Sequence, residues 1–189
     1  MTDQKQYSRS EVEAVVKRWN GWLMFPCERF EFVGSYRRKR AFLHDLDVIL
    51  IPKLKVVRQS DDQGDLFGGA THEISVSEFD KQLGDLEDAN RIKGVSRGEK
   101  IKTIIDIDSG IQIEFYIATK ETWPMLQLIR TGSKEHNIKL AKRAKSMGMK
   151  LKAGEGLMDN LGANLPIRSE EDIFKFLELD YIEPENREI

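Results

Sequence analysis

The apolar residues of this chain change their period once, near residue 119, and no other feature constrains the fold as much. Before that point short apolar runs read as strands, and after it they recur at helical spacing. The clearest strand pair spans 101–107 and 111–117 around Asp108-Ser109-Gly110, a hairpin turn. In its second arm Ile111, Ile113, Phe115 and Ile117 share one face, and Gln112, Glu114 and Tyr116 share the other. Phe30-Glu31-Phe32-Val33 reads as a further strand, and 46–51 as another, stopped by Pro52. Ser10 and Glu13 have capping-box spacing, so a helix is expected from Ser10 through Val12, Val15, Val16 and Trp19, ending or bending at Asn20-Gly21. A short helix is expected over 77–86. Polar residues and Gly68-Gly69 make 59–70 a loop or partly mobile insertion. Later helices are expected near Thr122-Trp123-Pro124, from Ser133 to about Met147 with Gly148 as its stop, and from Ser169, whose Glu170, Glu171 and Asp172 suit a first turn. The expectation is an α+β protein with a strand-rich domain over 1–119, insertion 59–70 included, and a helix-rich domain over 120–189.

Composition then excludes several classes. Of 189 residues, 40% are hydrophobic and 33% charged, which is globular rather than disordered. Thirty Lys and Arg against 32 Asp and Glu exclude a cationic coat over the whole surface, but not a local patch. One exists: from Arg130 to Lys152 there are eight Lys or Arg and one acid, Glu135. There Leu140, Ala144, Met147 and Leu151 form an apolar stripe, and Lys139, Lys142 and Arg143 lie elsewhere on the helix. That layout suits a packed face opposite phosphate-backbone contacts by Arg130, Lys139, Lys142, Arg143 and Lys145; a solvated basic face is the plain alternative. The single cysteine, Cys27, excludes an internal disulfide framework, and His44, His72 and His136 are too scattered for a metal cluster. No apolar run approaches the ~20 residues that span a bilayer. The first five residues lack the apolar stretch of a signal peptide, so a cytoplasmic monomer that does not contact membrane is expected.

Chemistry concentrates around Asp45-Leu46-Asp47. On a strand both carboxylates point to one side, about 7 Å apart. Like charges so placed repel unless a cation joins them, and two divalent ions ~3.5–4 Å apart are the usual arrangement for phosphoryl transfer. Alone, an Asp-x-Asp is an ordinary pair of solvent-facing acids. Here Gly34-Ser35-Tyr36-Arg37-Arg38 lies just ahead, with Ser35 ten residues before Asp45. Glycine lets backbone approach a phosphate, the serine hydroxyl and nearby amides can donate to it, and Arg38 offers a fork. Glu114 supplies a third carboxylate.

In this order the segments resemble the family X DNA polymerases of the nucleotidyltransferase superfamily. The resemblance rests on Gly34-Ser35 with Asp45-Leu46-Asp47-Val48-Ile49-Leu50 and on Ser96-Arg97-Gly98-Glu99-Lys100 before the hairpin. It continues with Ile113-Glu114 seventeen residues before Thr131-Gly132-Ser133, Lys134-Glu135-His136-Asn137, and Ser169-Glu170-Glu171-Asp172 with Tyr181-Ile182-Glu183-Pro184, covering roughly residues 28–187. It implies a nucleotidyltransferase palm with a mixed β-sheet and flanking helices, followed by a smaller thumb-like helical domain. It implies that Asp45, Asp47 and Glu114 hold two Mg²⁺, with Mn²⁺ as a substitute. Gly34, Ser35, Arg38 and Lys134 would hold the incoming dNTP, with Thr131-Gly132 under the sugar and Asn137 on the minor-groove side of the base. The implied substrate is primed, nicked or gapped DNA, and the implied role is short-gap filling in repair.

The chain departs from the family at several points. Glu114 stands where Asp is usual, which leaves Asp106 and Asp108 as substitutes. His44 stands in place of a small residue and either reaches a phosphate or covers the strand edge. Ile129-Arg130 replaces an aromatic pair, so ribonucleotide use is expected to be open. Ala141 replaces an arginine, which implies weaker template contacts. Only 33 residues precede Gly34, too few for the family's lyase domain, so no lyase activity is expected. Finally, Gln63-Gly64-Asp65-Leu66-Phe67 resembles the bacterial sliding-clamp-binding motif, with Gln63 anchoring and Asp65, Leu66 and Phe67 completing it. That implies a bacterial or phage setting. Two other functions fit the same residues: a template-independent or small-molecule nucleotidyltransferase, and a weakly catalytic clamp- or DNA-binding accessory protein.

Overall fold

A computed structural model describes residues 5–60 and 71–188. Its elements run β1 (Tyr7–Ser8), α1 (Arg9–Leu23), β2 (Cys27–Phe32), the one-turn α2 (Gly34–Arg37), β3 (Phe42–Leu43), β4 (Asp45–Pro52), β5 (Leu54–Ser60), β6 (Thr71–Ser77), α3 (Glu78–Asp88), β7 (Ile92–Arg97), β8 (Ile101–Asp106) and β9 (Gln112–Ile117). Then come α4 (Trp123–Thr131), α5 (Lys134–Ser146), the hairpin β10 (Lys150–Lys152) and β11 (Gly156–Met158), and α6 (Glu170–Phe176). None of the described helices is long and apolar enough to cross a membrane.

Five strands form one mixed sheet in the order β2-β4-β9-β8-β7, with β4 and β9 parallel and the other neighbours antiparallel. The unbroken apolar run in β4 follows from burial on both faces. Leu46, Val48 and Leu50 face α1 and α3, joining Val12, Val15, Trp19, Leu23, Phe79, Leu83 and Phe115. Ile49 faces the other way, into a cluster with Tyr116, Ala118, Trp123 and Leu126 under α4. Each such fully buried side chain is worth about 1.5–3 kcal/mol. Since period two puts residues 45, 47, 49 and 51 on one side, α4 covers only the far end of that face. Asp45 and Asp47, at the near end, are left outside the apolar cover.

Beyond the sheet, α4 also carries Met125 and Leu128, which pack with Leu140 and Ala144 of α5, Leu157 of β11, and Ile173 and Phe174 of α6. So α4 is a shared wall between the sheet and the helical unit. The expected α+β architecture is present: a mixed sheet with flanking helices, followed by a mainly helical unit. Ser77, Ser133 and Ser169 accept hydrogen bonds as N-caps, and Gly148 takes φ 74° after α5. These agree with the sequence.

Other local expectations need correction. The first helix is capped by Ser8, with Glu11 closing the capping box, rather than by Ser10 and Glu13. Ser8 pairs with Phe42, so the chain is extended up to Ser8 and the helix begins immediately after. Asn20 and Gly21 lie inside α1, because the buried stripe continues from Trp19 to Leu23. Residues 59 and 60 are strand, since β5 and β6 pair from Leu54↔Ser77 to Ser60↔Thr71.

Candidate active site

The turn after β2 is shaped by the approach of Asp47. Val33 N–H donates to the Asp47 carbonyl at 2.9 Å, and Gly34 follows at φ 61°. A Cβ at Gly34 would overlap Asp47 Oδ2. Glycine is therefore required there on two counts, conformation and space.

The next residues diverge. Arg37 turns inward and donates to Thr131 Oγ1 at 2.8 Å and to both oxygens of Glu170 at 2.9 and 2.8 Å, with Glu31 at 2.9 Å. Arg38 stays on the wall of a cavity of about 1290 Å³ that also exposes Ser35, His44, Asp45, Asp47, Gly132, Lys134 and Asn137. Its Nη1 donates to the Thr131 carbonyl. His44 meets the Lys5 carbonyl and Gln6 side chain, each at 3.3 Å. Asn137 Nδ2 donates to the Ile129 carbonyl at 2.7 Å, while its buried Oδ1 has no partner among the described residues.

The parallel register of β4 and β9 sets Asp45 against Gln112 and Asp47 against Glu114. Three carboxylates thus share one sheet face. Burial, then the neighbouring charges of Asp45 and Glu114, pushes the Asp47 carboxyl up to about 7. Burial, then Glu114, raises that of Asp45. Between Asp47 and Glu114 stands Tyr116, whose hydroxyl lies 2.5 Å from Glu114 Oε2 and 3.2 Å from Asp47 Oδ1. One phenolic proton serves one acceptor at a time, and the shorter contact assigns it to Glu114. The Arg130 guanidinium covers the Tyr116 ring, 3.9 Å from its centre.

As it stands, no group of three or more His, Cys, Asp or Glu side chains among the described residues is arranged to hold a cation. Glu114 is bonded to Tyr116 and to Gln112, the latter at 3.0 Å, and does not line the cavity. The donor set nonetheless suits a divalent cation in its chemistry. Oxygens of hard, mutually repelling carboxylates line a large cavity, and a cation would offset both the burial and the repulsion that raise Asp45 and Asp47.

The remaining candidates fall in different places. Thr131 is fully buried; its hydroxyl serves Arg37 and its carbonyl serves Arg38, so it braces the basic turn. Lys139, Lys142 and Lys145 are exposed along α5, and Arg143 is tied to the Leu177 carbonyl at 2.8 Å and Glu178 at 2.9 Å. Asp106 does not belong to this face. It is buried against α1, where Arg18 and Trp19 Nε1 donate to it, the latter at 2.9 Å. Asp108 pairs with Arg91 at 3.1 Å and Arg18 at 3.5 Å. Neither can stand in for Glu114. Gln63, Asp65, Leu66 and Phe67 lie outside the described residues. The sequence gives no role at the site to Tyr116, Arg187 or Glu188, and marks Glu170 only as a first-turn acid of its helix.

The fold is polymerase beta-like. It is similar to Leishmania infantum polymerase beta in a ternary P/T complex (TM-score 0.69, 98% of this chain and 77% of that one) and in a ternary gap complex (TM-score 0.72, 98% and 71%), at 20% identity in each. Residues 126–188 match the family described as DNA polymerase beta thumb. The chain is also 27% identical over 161 residues to the DNA polymerase/3'-5' exonuclease PolX of Bacillus subtilis, spanning 85% of its own length and 24% of that protein's. The likeness therefore lies in the overall fold, and in residues 126–188 also in the match to the polymerase beta thumb.

Proposed function

We propose that this chain is a family X-type nucleotidyltransferase that adds a deoxynucleotide from a dNTP to a primer 3′-hydroxyl in primed, nicked or gapped DNA. The biological role we infer is short-gap filling in repair. We assign the palm to residues 1–119 and the thumb to 120–189. The observation that carries the reading is the placement of Asp45 and Asp47, with Glu114 in register beside them, at the mouth of a cavity lined by Arg38, Lys134 and Asn137.

In the reaction the primer O3′ forms a bond to the α-phosphorus, the bond from that phosphorus to the β-phosphate bridge breaks, and pyrophosphate leaves. The 3′-hydroxyl proton passes to solvent. Asp45 and Asp47 are the residues that would hold divalent cations, with Glu114 joining once it leaves Tyr116; such ions supply the charge that stabilises the attacking and leaving oxygens. Arg38 and the Gly34-Ser35 turn hold the triphosphate. Asn137, a residue of the cavity wall, lies beside the sugar or base edge. Exposed Lys139, Lys142 and Lys145 meet the DNA backbone, a contact that weakens with salt.

Extension of a gapped duplex in Mg²⁺, one nucleotide at a time, tests this. Wild type should insert the templated base and Asp45→Ala, folded by thermal melting, should not. Full activity in the variant would refute the assignment, and untemplated insertion would favour the template-independent alternative. Clamp binding through Gln63, Asp65, Leu66 and Phe67 is a separate proposal. Alanine at Leu66 and Phe67 should abolish co-elution with a bacterial clamp and leave extension intact.

A further inference from the structure

The basic turn that faces the cavity already holds acids of the same chain. Arg38 Nε donates to Glu188 Oε1 at 2.5 Å, and Arg40 lies 3.7 Å from Glu188 Oε2. Beside them Lys39 pairs with Glu185 at 2.8 Å. Glu185 and Glu188 both lie on the cavity wall.

The position of these acids is built, not incidental. Arg187, next to Glu188, is wholly buried. It donates to Glu170 at 2.8 Å and to the Ile182 carbonyl at 2.9 Å, and its own carbonyl accepts from Ser133 Oγ at 2.6 Å. The backbone is therefore fastened one residue away from Glu188, which leaves that side chain within reach of Arg38. A guanidinium engages carboxylate and phosphate oxygens through the same N–H donors. Arg38 Nη1 is committed to the Thr131 carbonyl, and Glu188 holds Nε, so an arriving phosphate meets a fork already in use.

We propose that Glu188 is an internal competitor for the anion grip of Arg38, so that a ligand must bring polyphosphate charge to displace it. This rests on the reading of Arg38 as a phosphate ligand. Nucleoside triphosphates and pyrophosphate present several linked anionic groups to Arg38, Lys39 and Arg40, and displace the carboxylate. A lone monophosphate matches it poorly. Glu188 in this sense sets an affinity threshold, which a polyphosphate clears through its further contacts to Lys39 and Arg40 and a lone phosphate does not.

The test is calorimetric titration of the full chain with inorganic tripolyphosphate and, separately, inorganic phosphate. Wild type, Glu188→Gln and Glu188→Ala are compared, each checked for folding by thermal melting, with gapped-duplex extension run in parallel. Loss of one part-exposed charged pair should tighten tripolyphosphate by about fivefold in both variants. Phosphate should gain by no more than the same factor, because both ligands displace one carboxylate, and the KM for dNTP should fall in step with the tripolyphosphate constant. Affinity that is unchanged or weaker in the variants overturns the proposal, as does absence of tripolyphosphate binding to all three proteins. Extension with no gain in affinity would leave the polymerase reading intact and remove this one. A gain in affinity with no extension would do the reverse.

Discussion

Glu170→Gln strips the shared carboxylate from two arginines. Glu170 is 3% exposed and receives Arg37 at 2.9 and 2.8 Å, Arg187 at 2.8 and 3.3 Å, and the Tyr181 hydroxyl at 3.2 Å. After the change Arg37 still has Glu31 at 2.9 Å. Arg187, with no exposed surface, keeps the Ile182 carbonyl and the rings of Phe174 and Tyr181, whose centres lie 5.6 and 5.4 Å away. Breaking a buried ion pair typically destabilises by about 3–5 kcal/mol, because the surviving charge is left uncompensated. The ring contacts and Glu31 argue for the lower end, about 3 kcal/mol. For a chain of this size that is roughly 6–12 °C in Tm. Thermal unfolding followed by circular dichroism at neutral pH measures it, with urea titration as a check on cooperativity. A loss below about 1 kcal/mol would show that solvent reaches these guanidinium groups, and the buried-charge reasoning would fail.

Further predictions concern strain and pH. Gly34→Ala should cost about 1–2 kcal/mol from its left-handed backbone alone. It should also lower the extension rate by an order of magnitude or more, since the new Cβ displaces Asp47; wild-type rates would refute the close-approach argument. His136 is buried with both ring nitrogens unpartnered among the described residues. Burial first, then Arg187, depresses it from 6.5 to about 4. The unfolded chain therefore takes up this proton at a higher pH than the folded one, and the contribution of His136 to stability should fall as pH drops from about 6.5 towards 4, by up to about 3 kcal/mol, while Asp47, raised in the folded state, contributes in the opposite sense over the same range. Glu170, held below the ordinary carboxylate range by Arg37 and Arg187 against its own burial, adds a further loss below its unfolded value of 4.5. Equilibrium unfolding of wild type and His136→Phe across this range isolates the histidine: the stability of wild type relative to the variant should fall as pH drops from about 6.5 to about 4 and level off below, and a constant difference would refute it.

What the sequence shows directly is local. Ser77, Ser133 and Ser169 cap helices through bonds to a residue three positions on, so their signals are readable in a short window. The alternation in 111–117 survives because the sheet keeps it. What was missed depends on distant partners. Ser8 is fixed as a cap by pairing with Phe42. Asp106 is drawn away from the site by Trp19, 87 residues earlier. Glu188 meets Arg38 across 150 residues. β10 and β11 are too short for their period to stand out. For the site, residue types and order pointed to Asp45, Asp47 and Glu114, but no spacing could reveal that the Tyr116 hydroxyl stands between Asp47 and Glu114. Nor could it show that Arg37 and Arg38, adjacent in the run 37–40, would part, one into the interior and one onto the cavity wall.

Anomalous diffraction from a crystal soaked in Mn²⁺ and a dNTP analogue tests the carboxylate site most directly. Manganese bonded to oxygens of both Asp45 and Asp47, with Glu114 released from Tyr116, is the result this account expects. Manganese bound elsewhere, with those aspartates bare and Glu114 still on the phenol, would contradict it.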